Sequence, residues 1–284
     1  MNKDYSSISP SAKSLLIMKG FTGIPYAREA AALMPDEVHG IFDTQSHDLR
    51  FWARVCHFES RYLSIDQLLK SSGISNILEL SSGYSFRGLD MAAKLPVHYI
   101  DTDLPDVISL KQALIDELSE DTALKGKLEL LPLNAIDNTA FKAITERFAE
   151  GPLAIVNEGL LMYLDMDEKK QLCRNIHSAL MEKGGYWITA DVYIKSPEMT
   201  SSLYKDEREK AFFEQHKLEE NKFESIEGAK AFFEAAGFEL VQEAEPDYSK
   251  VSGMEQLLQQ MTPEMLDKMQ KAGKKHSTWM LRAV

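Results

Sequence analysis

Cysteine is scarce in this 284-residue chain: only Cys56 and Cys173 occur, far apart and outside any CxxC or HxxxH spacing. That argues against a disulfide framework and against a zinc site, and leaves two reduced, packed thiols. No run of eighteen apolar residues is present, so nothing reads as a membrane span. The opening Met1-Asn2-Lys3-Asp4-Tyr5-Ser6-Ser7 is polar and lacks the apolar segment of a secretion signal, so a cytoplasmic location is expected. Basic charge is also short, with 32 Lys and Arg against 44 Asp and Glu, a formal net charge of −12, and no basic run denser than Lys274-Lys275. This is the wrong sign for a surface that gains affinity by neutralising phosphates, which weighs against nucleic acid as a partner. Internal repeats and low-complexity tracts are missing as well. What is present, 44% apolar residues, suffices for one large core, and a single elaborated domain is the simplest organisation.

Apolar residues recur at helical spacing through Ser14 to Met18 and again at Phe51, Val55, Phe58 and Tyr62 to Leu69. A helical N-terminal cap over residues 1–70 is therefore expected before a second unit, 71–284. From Gly73 the pattern changes to short apolar runs separated by longer amphipathic ones, with strands expected near 76–80, 97–101, 128–133, 153–157 and 185–193. Such alternation predicts an α/β fold with a mostly parallel sheet and helices on both faces. Asp165 with Glu168 forms a capping-box start and Gly184-Gly185 a stop; Ser225 and Gly237 bracket a helix whose apolar stripe is Ile226, Ala229, Phe232, Phe233 and Ala236. Thr262-Pro263 opens a further helix closed by Gly273. Phe238 to Val241 and Ser277 to Val284 read as two late strands, bringing the sheet to seven. The Lys- and Glu-rich stretch 195–222, containing Phe212-Phe213, is expected as a helical insertion, and a solvated surface helix outweighs a substrate lid. Met254, Met261, Met265 and Met269 are expected to form a core stripe rather than an acyl pocket.

The segment with most chemical content is Asn76-Ile77-Leu78-Glu79-Leu80-Ser81-Ser82-Gly83-Tyr84-Ser85-Phe86-Arg87, followed by Tyr99-Ile100-Asp101-Thr102-Asp103. A strand that stops at small residues lets the backbone turn sharply, and an acid about twenty residues on can accept both hydroxyls of a ribose beyond the strand ends. The turn lacks the GxGxxG of dinucleotide sites and has bulky residues where a pyrophosphate needs backbone access. S-adenosylmethionine has no phosphate and makes no such demand, which turns the reading toward a methyltransferase.

Ile155-Val156-Asn157-Glu158-Gly159-Leu160-Leu161-Met162-Tyr163-Leu164 strengthens that reading. With Leu80 to Arg87 and with Asp101-Thr102-Asp103-Leu104-Pro105 and Lys111, it resembles the leucine carboxyl methyltransferase family, including its bacterial O-methyltransferase branch linked to polyketide-type substrates. The resemblance covers about residues 50–195. It departs from the family pattern at Ser81, where a glycine is usual, and at Ser85-Phe86, where the family has Asp-Thr.

The resemblance implies a seven-stranded S-adenosylmethionine-dependent methyltransferase fold and a cofactor site drawn from Glu79, Ser81, Gly83, Arg87, Asp101, Asp103, Asn134, Ala135 and Glu158. Asp103 would bind the ribose hydroxyls, or else cap the following helix, with Asp101 beside it. Glu158 would contact the cofactor, and Asn134-Ala135 would hold adenine. An arginine upstream of the sheet would grip the cofactor carboxylate with its fork; Arg61 is preferred and Arg54 held in reserve. In Tyr26-Ala27-Arg28-Glu29 a salt-bridged surface Arg28 outweighs a role over the site.

An ionised carboxylate acceptor needs no base, because a carboxyl with pKa of about 4 has already lost its proton at neutral pH. A phenol would need one, and none of the seven histidines sits beside a recognised motif. No catalytic residue is therefore named, beyond Tyr163 as a substrate-orienting group. The expected activity is O-methyl transfer to a carboxyl or hydroxyl of a small molecule. Two other readings stand beside it. One is a non-catalytic cofactor-binding or scaffold protein of the same fold. The other is a nucleic-acid methyltransferase, whose Asn/Asp-Pro-Pro-aromatic signature is replaced here by Asn157-Glu158-Gly159-Leu160.

Overall fold

The computed structural model describes residues 9–34, 41–119, 123–196, 207–271 and 273–284. Three helices precede the sheet: α1 (Ser9–Lys19), α2 (Ala27–Ala32) and α3 (Leu49–Ser72). The strands are β1 (Asn76–Leu80), β2 (His98–Asp103), β3 (Lys127–Pro132), β4 (Leu153–Asn157), β5 (Gly185–Tyr193), β6 (Phe238–Glu243) and β7 (His276–Ala283). They form one sheet in the order β3-β2-β1-β4-β5-β7-β6. β1 to β5 run parallel, whereas β7 pairs antiparallel with both β5 and β6. The five early strands lie within a residue or two of the sequence reading.

Between them run α4 (Arg87–Lys94), α5 (Pro105–Leu118), α6 (Asn138–Thr145) and α7 (Met166–Lys183). After β5 come α8 (Glu207–Gln215), α9 (Ile226–Ala235), α10 (Met254–Gln259) and α11 (Pro263–Lys271). Strand alternation divides the core. Leu78, Leu80, Ile100 and Ile155 pack with Leu172 and Ile176 of α7 and Phe233 of α9 on one face. Ile77, Tyr99, Ala154, Val156 and Ile188 pack with Ile65, Leu68 and Leu69 of α3 and Ala92 of α4 on the other. Both faces are thus buried, which is why Leu153 to Val156 of β4 read as an unbroken apolar run and Ile77 to Leu80 of β1 as one broken only by Glu79.

The punctuation works as its chemistry predicts. Asp165 accepts from the backbone N–H of Glu168 at 3.0 Å and Glu168 reciprocates at the Asp165 N–H at 2.9 Å, a complete capping box. Ser225 caps α9 through the Gly228 N–H, and of the expected α9 stripe Ala229 and Phe233 are buried while Ile226, Phe232 and Ala236 pack at its margin. The methionine stripe is corrected. Met254 and Met261 pack at the edge of a small cluster around Cys56, Val251 and Leu257, but Met265 is 41% exposed, because α11 lies at the surface; the Met269 side chain is outside the described residues. Among the described residues no helix is long and apolar enough to cross a membrane.

Candidate active site

β1 runs outward to β2 and β3 on one side and to β4 and β5 on the other, so a crevice opens beyond the carboxyl ends of β1 and β4, where the connections diverge. A cavity of about 270 Å³ occupies it. It is lined by the first turn (Ser81 to Ser85), Asp103 and the Leu133 to Ile136 segment, and by side chains of α1, α3, β5 and α8, with Ala12 and Leu16 of α1 packed against the first turn.

The first turn is held by the end of β2. Gly83 donates its backbone N–H to Asp103 Oδ2 at 2.7 Å, Leu104 donates to Oδ1 at 2.7 Å, and the Ser82 N–H reaches the Thr102 carbonyl at 2.9 Å. Asp103 therefore does not cap α5: Leu104 is the N-cap, without a side-chain bond, and Pro105 opens the helix. Burial raises the Asp103 carboxyl above its ordinary range, opposed by those two N–H bonds. Each of its oxygens retains one lone pair, and the residue lines the cavity. Gly83 and Ser81 both have positive φ, 51° and 49°. Ser81 thus occupies the backbone region that the glycine usual at this position adopts freely.

Glu158 is the electrostatic centre. Its Oε1 accepts from Lys19 Nζ at 2.8 Å and from Arg61 Nε and Nη2 at 3.2 and 3.0 Å, and its Oε2 from Arg87 Nη2 at 3.2 Å. Burial alone would raise its pKa; Lys19, Arg61 and Arg87 together outweigh that and hold it well below the usual carboxylate range. The loop carrying it is pinned by Asp191 of β5, which accepts the N–H groups of Gly159, Leu160 and Leu161 at 2.6, 2.6 and 3.0 Å and the Asn157 amide at 2.6 Å. Gly159 adopts φ +84°, and a Cβ there would approach Arg61 Nη2 at 3.4 Å. The glycine of the Glu-Gly pair is thus favoured by its left-handed backbone, while an added Cβ would meet the guanidinium only at the edge of ordinary contact.

Of the residues expected at the cofactor, Arg54, Arg61, Glu79, Ser81, Gly83, Asp103, Asn134, Ala135 and Glu158 line the cavity, as does Tyr163. Glu79 turns its carboxylate inward, accepting the Tyr99 hydroxyl at 2.5 Å. Arg87 and Asp101 are corrected. Arg87 is 1% exposed beneath the cavity, bonded to Asp66 and Glu158 and stacked 3.8 Å over the Tyr62 ring. Asp101 is fully buried and pairs with Lys111 at 3.0 Å, while Lys111 also donates to Ser82 Oγ at 2.9 Å. Burial raises the Asp101 pKa to about 6, against the pull of Lys111. Side chains on one face of a strand alternate, so Asp101 and Asp103 share a face, but only the one at the strand's end reaches the crevice.

Both arginine candidates reach the cavity with different partners. Arg61 bonds Glu158 and, through Nη1, the Tyr193 hydroxyl at 2.8 Å. Arg54 pairs with Glu209 of α8 and lies 4.5 Å over the Phe42 ring. Arg28 is exposed and off the cavity. Of the expected insertion, 197–206 lie outside the described residues; the 207–222 part is more than a solvated face, since Phe212, Phe213, Leu218 and Lys222 line the cavity.

Four residues were not legible beforehand: Lys19, His57, Asp191 and Tyr193. His57 sits beside no recognised motif in the sequence, yet the fold brings it to the site. It lines the cavity, with Nε2 2.7 Å from the Tyr193 hydroxyl. The available signal was the spacing Arg54, His57, Phe58, Arg61, which sets four residues on one face of α3.

The family model described as leucine carboxyl methyltransferase matches residues 10–177, more than half of the chain. No curated protein matches the sequence. Among solved structures, a DUF574 family protein from Streptomyces avermitilis superposes with a TM-score of 0.57 at 14% identity, covering 95% of this chain and 97% of that one. Magnesium protoporphyrin IX methyltransferase from Synechocystis, with bound SAH, gives 0.50 at 8% identity over 86% and 90% of the two chains. Mitomycin 7-O-methyltransferase gives 0.48 at 14% identity over 82% of this chain, which spans 57% of the length of that enzyme.

Proposed function

Because the chain belongs to the leucine carboxyl methyltransferase family, with the class I methyltransferase fold and S-adenosylmethionine as cofactor, we propose that it transfers a methyl group to an oxygen of a small molecule. The observation that carries this reading is one cavity lined both by the acids Glu79, Asp103 and Glu158 at the strand ends and by Phe42, Phe58, Phe212 and Phe213, which belong to one apolar cluster. The residues at the sheet fit the cofactor. Asp103 has lone pairs for two ribose hydroxyls, Leu104, Leu133, Ala135 and Ile136 offer apolar walls for a flat base, and Asn134 supplies an amide beside them. Three of the five Arg61 N–H groups are committed to Glu158 and Tyr193, and the other two would meet the carboxylate of the methionyl group.

When bound, the cofactor supplies an electrophilic methyl carbon on a positively charged sulfur. The chain's task is alignment and exclusion of water. Asp103 and the first turn would fix one end, and Glu158, itself held by Asp191 through the loop, would set a carboxylate near the cation. Leu15, Phe42, Phe58, Met162, Phe212 and Phe213 would exclude water around the acceptor. The test is incubation with methyl-labelled S-adenosylmethionine and a panel of phenols and aromatic carboxylic acids, read by mass spectrometry. Label on an acceptor oxygen is expected. Cofactor binding without transfer to any member would overturn the O-methyltransferase reading and favour a binding protein of this fold.

A further inference from the structure

We infer that His57 and Tyr193 form a proton-accepting pair at the acceptor end of the cavity, and that the acceptor is a neutral aromatic hydroxyl rather than a carboxylate. This deepens the O-methyltransferase reading and rests on it. The pair sits where an acceptor must lie. Both side chains line the cavity, on the α3 and β5 walls beyond Glu158, among Phe42, Phe58, Phe212 and Phe213. Those rings suit a flat apolar partner.

The contacts provide a path for the proton, with Tyr193 as the donor to His57. Arg61 can only donate, and it donates through Nη1 to the Tyr193 oxygen. In the proposed pair the Tyr193 hydroxyl hydrogen points at His57 Nε2, 2.7 Å away, and His57 is the Nδ1–H tautomer whose Nε2 lone pair accepts it. The neighbours keep it neutral. His57 faces His276 of β7 at 5.1 Å between rings, Arg61 on its own helix, Tyr193 of β5, Glu158 after β4 and Lys222 after α8. Burial first, then His276, Arg61 and Lys222, lower its pKa well below 6.5, against the pull of Glu158. His276 is itself fixed, its Nε2 2.7 Å from the Ala190 carbonyl.

The step balances. As the acceptor oxygen bonds the methyl carbon, the carbon–sulfur bond breaks and its electron pair stays on sulfur. The acceptor proton passes to the Tyr193 oxygen while Tyr193 hands its own to Nε2. The positive charge that leaves sulfur reappears on the imidazole, so the net charge of the buried site does not change. A hydroxyl that is taking a methyl group becomes strongly acidic, so a neutral imidazole is base enough. A carboxylate acceptor would bring no proton and would leave this pair idle.

The test compares wild type, His57→Gln and Tyr193→Phe with matched probes, 2-naphthol and 2-naphthoate among phenols and acids of one to three rings. Calorimetry with S-adenosylhomocysteine on each protein shows whether the variants fold and hold cofactor. Wild type is expected to methylate phenols at a rate flat from pH 9 to below 6.5. His57→Gln is expected to lose about 10²-fold or more and to recover as pH rises toward the phenol's own ionisation. In nitrogen-15 spectra of the free protein at pH 7, His57 should be the neutral Nδ1–H tautomer, with an Nε2 resonance that moves in Tyr193→Phe. Phenol transfer indifferent to His57→Gln, or transfer to the acids alone, would overturn the inference while leaving O-methyl transfer standing. Absence of cofactor binding would instead remove the reading beneath it.

Discussion

Replacing Glu158 by Gln should destabilise the fold by about 3–5 kcal/mol, the usual effect of removing one partner from a buried ion pair. The side chain is 5% exposed and accepts four hydrogen bonds from three cations. Around it Lys19, Arg61 and Arg87 face Glu158, Asp66 and Glu79, so three positive charges meet three negative ones. Glutamine keeps one acceptor oxygen but turns an amide donor toward a cation and leaves one positive charge uncompensated. A domain of this kind has about 5–15 kcal/mol to lose, so the variant should remain folded but marginal. Urea unfolding measures the difference, with the slope confirming that the same surface is exposed. The pH dependence has a definite sign. Because the folded-state pKa of Glu158 is lowered, its contribution is full above the ordinary 4.5 and is lost as pH falls below that value toward the folded one. The gap between wild type and variant should therefore be constant from pH 8 to about 5.5 and shrink in acid. Adding Lys19→Met to Glu158→Gln restores the charge count and should recover more than about 1 kcal/mol. A single variant within about 1 kcal/mol of wild type, or a double variant worse than the sum of its parts, would refute this account of the cluster.

Further outcomes follow from the same geometry. Ser81→Gly should stabilise the protein by up to about 1 kcal/mol in urea, since it relieves a left-handed serine, with the greater chain entropy of glycine offsetting part of the gain; a loss would show that the serine makes a compensating contact. Asp191→Asn leaves the Gly159 to Leu161 N–H groups with a poorer acceptor and should lower stability by about 1–3 kcal/mol while weakening cofactor binding, as read by calorimetry. His276, half-buried and lowered to about 4 mainly by burial, takes up its proton more readily when unfolded. Acidification from pH 6.5 to 4 should then cost wild type about 3 kcal/mol that His276→Gln does not lose. Equal acid sensitivity of the two proteins would contradict the burial of that ring.

The strands and the turn around Ser81 were legible because apolar periodicity and small residues report backbone geometry directly. Glu158, Asp103 and Asn134 were legible because each stands at the carboxyl end of a strand, where the topology opens the crevice. Arg87 and Asp101 misled for the opposite reason: they lie beside the motif in sequence, but their side chains turn to Asp66 and Lys111 beneath the site. Lys19, His57 and Tyr193 escaped because they come from three elements far apart in the chain, α1, α3 and the end of β5, and meet only when those elements pack. Asp191 sits inside a strand that reads as apolar, and its purpose appears only with the loop it holds.

The most direct test of the central claim is calorimetric titration of S-adenosylhomocysteine into wild type and Asp103→Asn. One site per chain is expected. Asp103→Asn should bind at least tenfold more weakly, because a neutral amide replaces the carboxylate that would hold the ribose. Failure of the wild type to bind, or equal affinity in the two proteins, would contradict a cofactor site between the Ser81 to Ser85 turn and the end of β2.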